Sequence, residues 1–300
     1  MEKVEFIWMN GEFIPWDDAK VHILSHVIHY GSGVFEGIRF YETEDGRTAV
    51  FRLQDHTDRL FYSAKVMQMD IPYSKVEINE VTLETIRKNQ VKKGYIRPLA
   101  IYGYGKMGLN PHGAQIDVAI AVWPWGSYLG EESVKVKTSK YVRIHPDSTD
   151  TKAKISGHYV NSILSSFDAN DNGYHESLLL DFEGNVAEGP GENVFGVKDG
   201  KLITPKEGNI LIGLTRKSIF EIAKNKGIEI IEKTMTLNEL KDCDEAFFTG
   251  TAAEVTPIHQ IDEKIIGDGK VGPLTSKLKT IFTDAIHGKI PEYSDWLTYV

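Results

Sequence analysis

The sequence predicts a two-lobed protein of mixed α/β (α+β) class, and three observations carry that reading. Its 300 residues are 41% hydrophobic and 26% charged, enough for one large core or two ordinary ones. Strand-like runs and helical periods alternate through both halves. Around Pro124-Trp125-Gly126-Ser127-Tyr128-Leu129-Gly130-Glu131-Glu132 both patterns break, where a proline, two glycines and paired acids mark a linker. The expected division is residues 1–123 as an N-terminal domain, 124–133 as the linker and 134–300 as a C-terminal domain, with a cleft between them.

The elements follow in order. Val4 to Trp8 and Glu12 to Trp16 flank Asn10-Gly11, a dipeptide that accepts the positive φ values of a hairpin turn. Glu36 to Tyr41 and Thr48 to Leu53 repeat the pattern around Asp45-Gly46. Asp55 reads as the N-cap of a helix with Leu60, Phe61, Ala64 and Met67 on one face. A second helix is bounded by Ser74 and Gly94, and strands run over Tyr95 to Tyr104 and Val118 to Trp123. Beyond the linker, strands at Val134 to Lys137 and Ser177 to Asp181 bracket a helix near Tyr159 to Ala169. Glu192 to Val197 pairs with Lys201 to Pro205 across Asp199-Gly200. A helix from Thr215 to Lys226 stops at Gly227 and feeds the strand Ile228 to Ile231. Short helices near Leu237 and from Thr275 to His287 frame strands at Glu245 to Phe248 and Val255 to Ile261.

Charge and cysteine usage narrow the function classes. With 34 Lys plus Arg against 43 Asp plus Glu, the net charge of −9 argues against nucleic acid or an anionic membrane as partner. Cys243 is the only cysteine, so neither an intrachain disulfide nor a cysteine metal cluster can form, and a reducing compartment is expected. Met1 to Trp8 lacks the basic and apolar regions of a signal peptide, and no apolar run approaches membrane-spanning length, which points to the cytoplasm.

The chemistry centres on Lys154, in Lys152-Ala153-Lys154-Ile155-Ser156-Gly157-His158-Tyr159. Apolar flanks favour the neutral form of an amine, which is the form that attacks a carbonyl carbon. Lys152 is the competing amine, but it adjoins the polar run Asp147 to Thr151. Pyridoxal phosphate needs such a lysine, a carboxylate that keeps its ring nitrogen protonated, and a cup of backbone amides for its phosphate. Glu188, at the head of Glu188-Gly189-Pro190-Gly191-Glu192-Asn193, is the candidate acid, with Glu192 able to take the same role or to make a structural hydrogen bond. Gly213-Leu214-Thr215-Arg216 opens a helix whose first amides suit an anion, and Gly250-Thr251-Ala252-Ala253 offers a second run of small residues. Arg59 is nominated as the phosphate's cation, and the Tyr159 hydroxyl can reach a phenolic oxygen.

Other motifs fail on context. His22, His26 and His29 fall at i, i+4 and i+7, a spacing that would set three imidazoles on one helical face and suit zinc. The intervening Ile23, Leu24, Val27 and Ile28, with no neighbouring carboxylate, favour packed histidines, so no metal is expected. Gly31-Ser32-Gly33 precedes a strand where a dinucleotide loop would follow one. Gly103-Tyr104-Gly105-Lys106 lacks the spacing and hydroxyl of a phosphate loop.

Taken together, these segments resemble the branched-chain amino acid aminotransferases, members of the class IV, fold type IV group of pyridoxal phosphate enzymes. The likeness runs nearly end to end, through His29-Tyr30-Gly31, Val34-Phe35-Glu36-Gly37-Ile38-Arg39, Tyr95-Ile96-Arg97-Pro98, Pro124-Trp125-Gly126, the lysine segment, Glu188 to Asn193, Gly213 to Arg216 and Gly250-Thr251-Ala252-Ala253-Glu254. It implies ping-pong transfer of an amino group between leucine, isoleucine or valine and 2-oxoglutarate, with the cofactor in a cleft between a smaller N-terminal and a larger C-terminal domain. It further implies that Lys154 binds the cofactor covalently and moves the substrate α-proton. Glu188 would face the pyridine nitrogen, Tyr159 the phenolic oxygen, and Arg59, Leu214, Thr215 and Thr251 the phosphate. The Thr251 and Ala252 amides with Tyr95 would hold the substrate α-carboxylate. Tyr30, Phe35, Gly37 and Tyr128 would wall an apolar pocket, and Arg97 would receive the second carboxylate of glutamate. Tyr30 is expected to reach a neighbouring subunit's site, which implies a homodimer or larger homo-oligomer. His158 departs from the asparagine of many relatives, and a lone cysteine excludes the paired-cysteine switch of some animal members.

The rivals are a D-amino acid aminotransferase or aminodeoxychorismate lyase of the same fold, a non-catalytic carrier of pyridoxal phosphate, and a zinc hydrolase built on the histidine trio. Tyr95-Ile96-Arg97 and Gly250 to Glu254 favour the branched-chain reading, and a mere carrier leaves Arg97 and the aromatic pocket without purpose.

Overall fold

The computed structural model describes residues 2–126 and 133–300, so Tyr128 and most of the linker lie outside the described residues. In chain order the elements begin with β1 (Phe6–Met9), β2 (Glu12–Pro15), α1 (His26–Tyr30), β3 (Gly33–Phe35), β4 (Ile38–Glu42), β5 (Thr48–Phe51), α2 (Leu53–Val66), α3 (Lys75–Asn89), β6 (Gly94–Tyr102) and β7 (Ile116–Trp123). They continue with β8 (Val134–Val142), α4 (Tyr159–Asn170), β9 (Glu176–Leu180), β10 (Val186–Glu188), β11 (Asn193–Lys198), β12 (Lys201–Pro205), α5 (Leu214–Asn225), β13 (Ile230–Lys233) and α6 (Leu237–Lys241). The last are β14 (Glu245–Gly250), β15 (Glu254–Ile261), β16 (Lys264–Ile265), α7 (Pro273–Ile286) and β17 (Leu297–Tyr299). No helix among the described residues is long and apolar enough to cross a membrane.

The chain forms two compact units. The first comprises Met1–Gly126, Ala153–His158 and Ala285–Val300, and the second Ser127–Lys152 and Tyr159–Asp284. The lysine segment therefore packs with the first unit, which corrects the expectation that the C-terminal domain carries it. A β-bridge explains the transfer. Val34 pairs with Ile155, the Phe35 N–H donates to the Lys154 carbonyl at 3.2 Å, and the Lys154 N–H donates to Ser63 Oγ at 2.8 Å. Six residues with no strand period of their own are held by partners far away in sequence, a relation that no local pattern encodes.

The first unit is an antiparallel sheet ordered β17-β5-β4-β6-β7-β1-β2, with β3 also on β6. Both expected hairpins form, and Asn10 at φ 51 and Gly11 at φ 99 make the first turn. Helices α2 and α3 pack together against the sheet, and Leu60, Ala64, Ile78 and Ile86 join Phe40, Ile96, Ile120 and Val122 in one core. Helix α2 starts before the expected cap. Arg52 takes the N-cap position in a left-handed conformation, and Asp55 sits in the first turn ion-paired to it at 2.8 Å. Ser74 does cap α3, in a reciprocal box with Glu77 that contributes about 1 kcal/mol. That helix ends at Asn89, earlier than Gly94, because Gln90 adopts the left-handed cap and Gly94 is needed inside β6, where any Cβ would strike the Trp123 carbonyl. Gly31, at φ 62, accepts a hydrogen bond from the Gly157 N–H at 3.0 Å.

The second unit is a mixed sheet ordered β10-β9-β8-β15-β14-β11-β12-β13, with β16 on β15. Its parallel pairs are β12 with β13, β15 with β8, and β8 with β9; the first is joined through α5, the third through α4. Val134, Val136, Leu178, Val194, Ala246, Phe248 and Ile258 form its core. Strand β10 departs from the sequence reading, which left Glu188 in a glycine turn: Glu188 closes a strand paired with β9 and is buried. The strand spans only Val186–Glu188 and all three residues are buried, so no two-residue alternation is there to register.

Candidate active site

Each unit holds one group of candidate residues. In the first, the clipped backbone of Lys154 sits between buried Ala153 and Ile155, and its Nζ lies 5.0 Å from the centre of the Phe35 ring. Lys152 instead points to the surface, where it pairs with Glu207 at 3.4 Å. Ser63, which receives the Lys154 amide, donates to the Arg59 carbonyl one turn back, so α2 supports the lysine and presents Arg59 together.

Arg59 is not a plain exposed arginine. Its Nε and Nη2 donate to the two carboxylate oxygens of Glu36 at 2.7 and 2.9 Å, and His56 Nδ1 meets the same carboxylate at 2.7 Å. Glu36 is fully buried. Burial alone would push its carboxyl up, but the Arg59 charge, then His56, outweigh it and hold it well below the usual carboxylate range. Burial holds His56 below its ordinary value despite Glu36, and its Nε2 is buried without a hydrogen-bond partner. A neutral ring therefore donates through Nδ1. The sequence reading missed Glu36 and His56, although a histidine and an arginine three apart beside Leu60 and Ala64 on an apolar stripe were a usable signal.

Phe35, Gly37, Tyr95 and Arg97 come together where β3 and β4 lie on β6. The Arg97 guanidinium carbon lies 4.9 Å from the Phe35 ring centre and 5.5 Å from that of Tyr95, and its Nε is buried without a hydrogen-bond partner. Tyr95 meets Trp125 edge-on at 4.6 Å. A Cβ on Gly37 would overlap the Tyr95 hydroxyl, so glycine there lets the tip of that ring approach the backbone. Tyr30 is 42% exposed, its ring against His26 at 4.5 Å.

The histidine trio does not share a helix, because α1 spans only His26–Tyr30 and His22 precedes it, against Tyr104. His26 is satisfied by Ser32 Oγ at 2.6 Å and the Gly108 carbonyl at 2.7 Å, as packed histidines are. No cluster of metal-binding side chains occurs among the described residues.

In the second unit, Glu188 is buried and heavily ligated. Arg143 Nε donates to its Oε1 at 2.6 Å, Asn193 Nδ2 to its Oε2 at 3.1 Å, and the Leu211 N–H to both oxygens at 3.2 and 3.1 Å. Charge-assisted donors of this kind hold a carboxylate ionised. Glu192 turns inward on its own loop, accepting from the Gly191 N–H at 3.0 Å, which is the structural role open to it in the sequence. Gly213 N-caps α5 with no side-chain cap, and the amides of Leu214 and Thr215 have no acceptor within the helix. Thr251 and Ala252 lie in the turn between β14 and β15; a Cβ on Gly250 would stand 3.1 Å from the Gly191 carbonyl, so the two glycine turns touch. Beside them Thr249 Oγ1 is buried without a hydrogen-bond partner. Tyr159 is the first residue of α4. Arg143, just past β8, and the side chain of Asn193 were missed, and nothing local marks Arg143, whose burial comes from its distant carboxylate.

A buried acid held by an arginine, a lysine amine, a carboxylate-held arginine, a helix start and turns of small residues match the equipment of a pyridoxal phosphate enzyme. Residues 33–261 match the amino-transferase class IV family, and the chain belongs to it. It is similar to the branched-chain-amino-acid aminotransferase of Pseudomonas aeruginosa, at 48% identity over 98% of this chain and 97% of that protein. It is likewise similar to the enzyme of that name from Escherichia coli K12, at 41% identity over 100% and 98%. Among solved structures, the branched-chain amino acid aminotransferase from Thermobaculum terrenum in its PLP-form superposes with a TM-score of 0.94 at 35% identity, covering 100% of this chain and 99% of that one.

Proposed function

We propose that this chain is a pyridoxal phosphate-dependent transaminase of branched-chain L-amino acids, moving the amino group of leucine, isoleucine or valine to 2-oxoglutarate. The observation that carries the substrate reading is Arg97 among aromatic rings. A cation with a buried, unpartnered Nε, set against Phe35 and Tyr95, suits a side-chain site that must accept an aliphatic group in one half-reaction and a carboxylate in the other. The cofactor fits the residues present, since the donors on Glu188 keep an acid ready for a protonated ring nitrogen and the orphaned Thr249 hydroxyl lies beside the Thr251 turn.

Pyridoxal phosphate, when bound, supplies an electron-withdrawing ring that makes the substrate α-proton acidic. Lys154 would hold the cofactor, and its Nζ would carry the substrate α-proton. Glu188 would pair with the ring nitrogen, Tyr159 with the phenolic oxygen, and Arg59, Leu214, Thr215 and Thr251 with the phosphate. The Thr251 and Ala252 amides with Tyr95 orient the α-carboxylate. Tyr30, Phe35 and Gly37 wall the site of the substrate side chain. We place the enzyme in the cytoplasm as a homodimer or larger assembly, to which Tyr30 contributes across subunits. The exposed apolar stripe Val160, Ile163, Leu164 and Phe167 on α4 supports self-association.

Half-reaction spectra of the purified protein against L- and D-amino acids test the reading: loss of the cofactor absorption with L-leucine, L-isoleucine, L-valine and L-glutamate supports it, and a response to D-alanine alone overturns it. Arg97→Ala is expected to reduce kcat/KM for glutamate and 2-oxoglutarate about tenfold or more beyond any loss for leucine. Equal losses would remove the assigned selectivity.

A further inference from the structure

The acid and the phosphate cup of the second unit share one side chain. Asn193, buried at the start of β11, uses both hydrogens of Nδ2, one toward Glu188 Oε2 at 3.1 Å and one toward the Leu211 carbonyl at 2.8 Å. Its Oδ1 accepts the Gly213 N–H at 3.1 Å, and Gly213 is the N-cap from which the Leu214 and Thr215 amides project. The Leu211 N–H returns to the Glu188 carboxylate, closing a ring of hydrogen bonds through Glu188, Asn193 and Leu211. Position 213 must be glycine for this to exist, because a Cβ there would overlap Asn193 Oδ1.

We infer that Asn193 is a positioning residue that sets the spacing between the carboxylate for the ring nitrogen and the amides for the phosphate. Pyridoxal phosphate is a rigid ligand whose two anchoring ends are a fixed distance apart. Such a ligand gains from both anchors together only when they are pre-spaced to match, since one end then raises the effective concentration of the other. A planar amide with all its polar atoms engaged, on the rigid start of a central strand, has little freedom to let either anchor drift. A carboxylate at this position would face Glu188 with like charge, and an aliphatic side chain would leave the Gly213 amide without its acceptor and strip one donor from Glu188.

The inference rests on the proposed use of pyridoxal phosphate, and the experiment separates the two. Apoenzyme is titrated with pyridoxal phosphate, with pyridoxal and with inorganic phosphate, for the parent, Asn193→Leu and Asn193→Asp, with near-ultraviolet circular dichroism recorded for each. For Asn193→Leu the dissociation constant for pyridoxal phosphate should rise roughly 100-fold, more than the product of the losses for the two half-ligands, because what is lost is their coupling. Asn193→Asp should lose more at the pyridoxal end than at the phosphate end and shift the pH at which the holoenzyme absorption band changes. Losses that merely multiply, or none, in folded variants overturn the positioning role while the parent still binds pyridoxal phosphate. A parent that does not bind pyridoxal phosphate overturns the functional reading itself. Should Asn193→Leu not fold, the end-specific loss and band shift of Asn193→Asp decide alone, and their absence overturns the role.

Discussion

Both units bury a carboxylate against an arginine, yet the pairs are built for opposite ends. Glu36 is wholly enclosed and takes both Nε and Nη2 of Arg59, so the acid serves to aim the arginine. Glu188 takes Nε of Arg143 and gathers a side-chain amide and a backbone N–H besides, so the arginine is one of several donors that fix the acid in place. On the proposed reading, the same kind of ion pair serves as a phosphate grip in one unit and as the partner of a ring nitrogen in the other. Nothing in the composition of the pair distinguishes them.

The largest expected effect isolates what the first unit adds beyond binding. Lys154→Ala should reduce turnover by at least about a thousandfold and abolish borohydride-trapped cofactor, with the fold retained. A trapped label on Lys152 would move the chemistry to the other amine.

Arg143→Met probes the second pair. It leaves Glu188 buried without its counter-ion and should cost about 3 kcal/mol or more in denaturant unfolding, along with cofactor affinity. Parental stability would show that Leu211 and Asn193 alone suffice for the charge.

The smallest effects are opposed slopes against pH. Burial keeps His56 below its ordinary 6.5, so under that pH the unfolded chain takes up a proton that the folded ring refuses, and stability falls with acid. In the second unit, burial pushes Glu176 up from 4.5 to about 7, so over that range the folded state holds the extra proton and stability falls as pH rises. Each contributes up to about 1.4 kcal/mol per pH unit. Just below pH 6.5 the two slopes oppose each other, so His56→Gln should tilt the profile downward with rising pH, and Glu176→Gln upward. Parallel profiles for both variants would refute the assignment.

Much of this was legible along the chain. Alternation and turn dipeptides located both hairpins, the Asp199-Gly200 turn and the α5 to β13 unit, since those signals are local. The capping serine of α3 was found for the same reason, whereas its end was not, because Gln90 takes a left-handed conformation that its residue type does not announce. Lys154 and Glu188 were singled out by type and setting, whereas Arg59 was nominated only because a phosphate calls for a cation. Glu36, His56, Arg143 and the amide of Asn193 were missed, since their meaning lies in partners between 5 and 45 positions away. The histidine trio failed in the opposite sense, its spacing sound and its helix absent.

One contact bears on how this enzyme tolerates change. At Gly31 a single methyl group would sit 2.8 Å from the Gly157 Cα, against main chain that cannot swing aside as a side chain would. A replacement there would lever the stretch that carries Lys154 through main chain alone. Libraries meant to reshape specificity through the neighbouring Tyr30 and Phe35 therefore do well to leave position 31 alone.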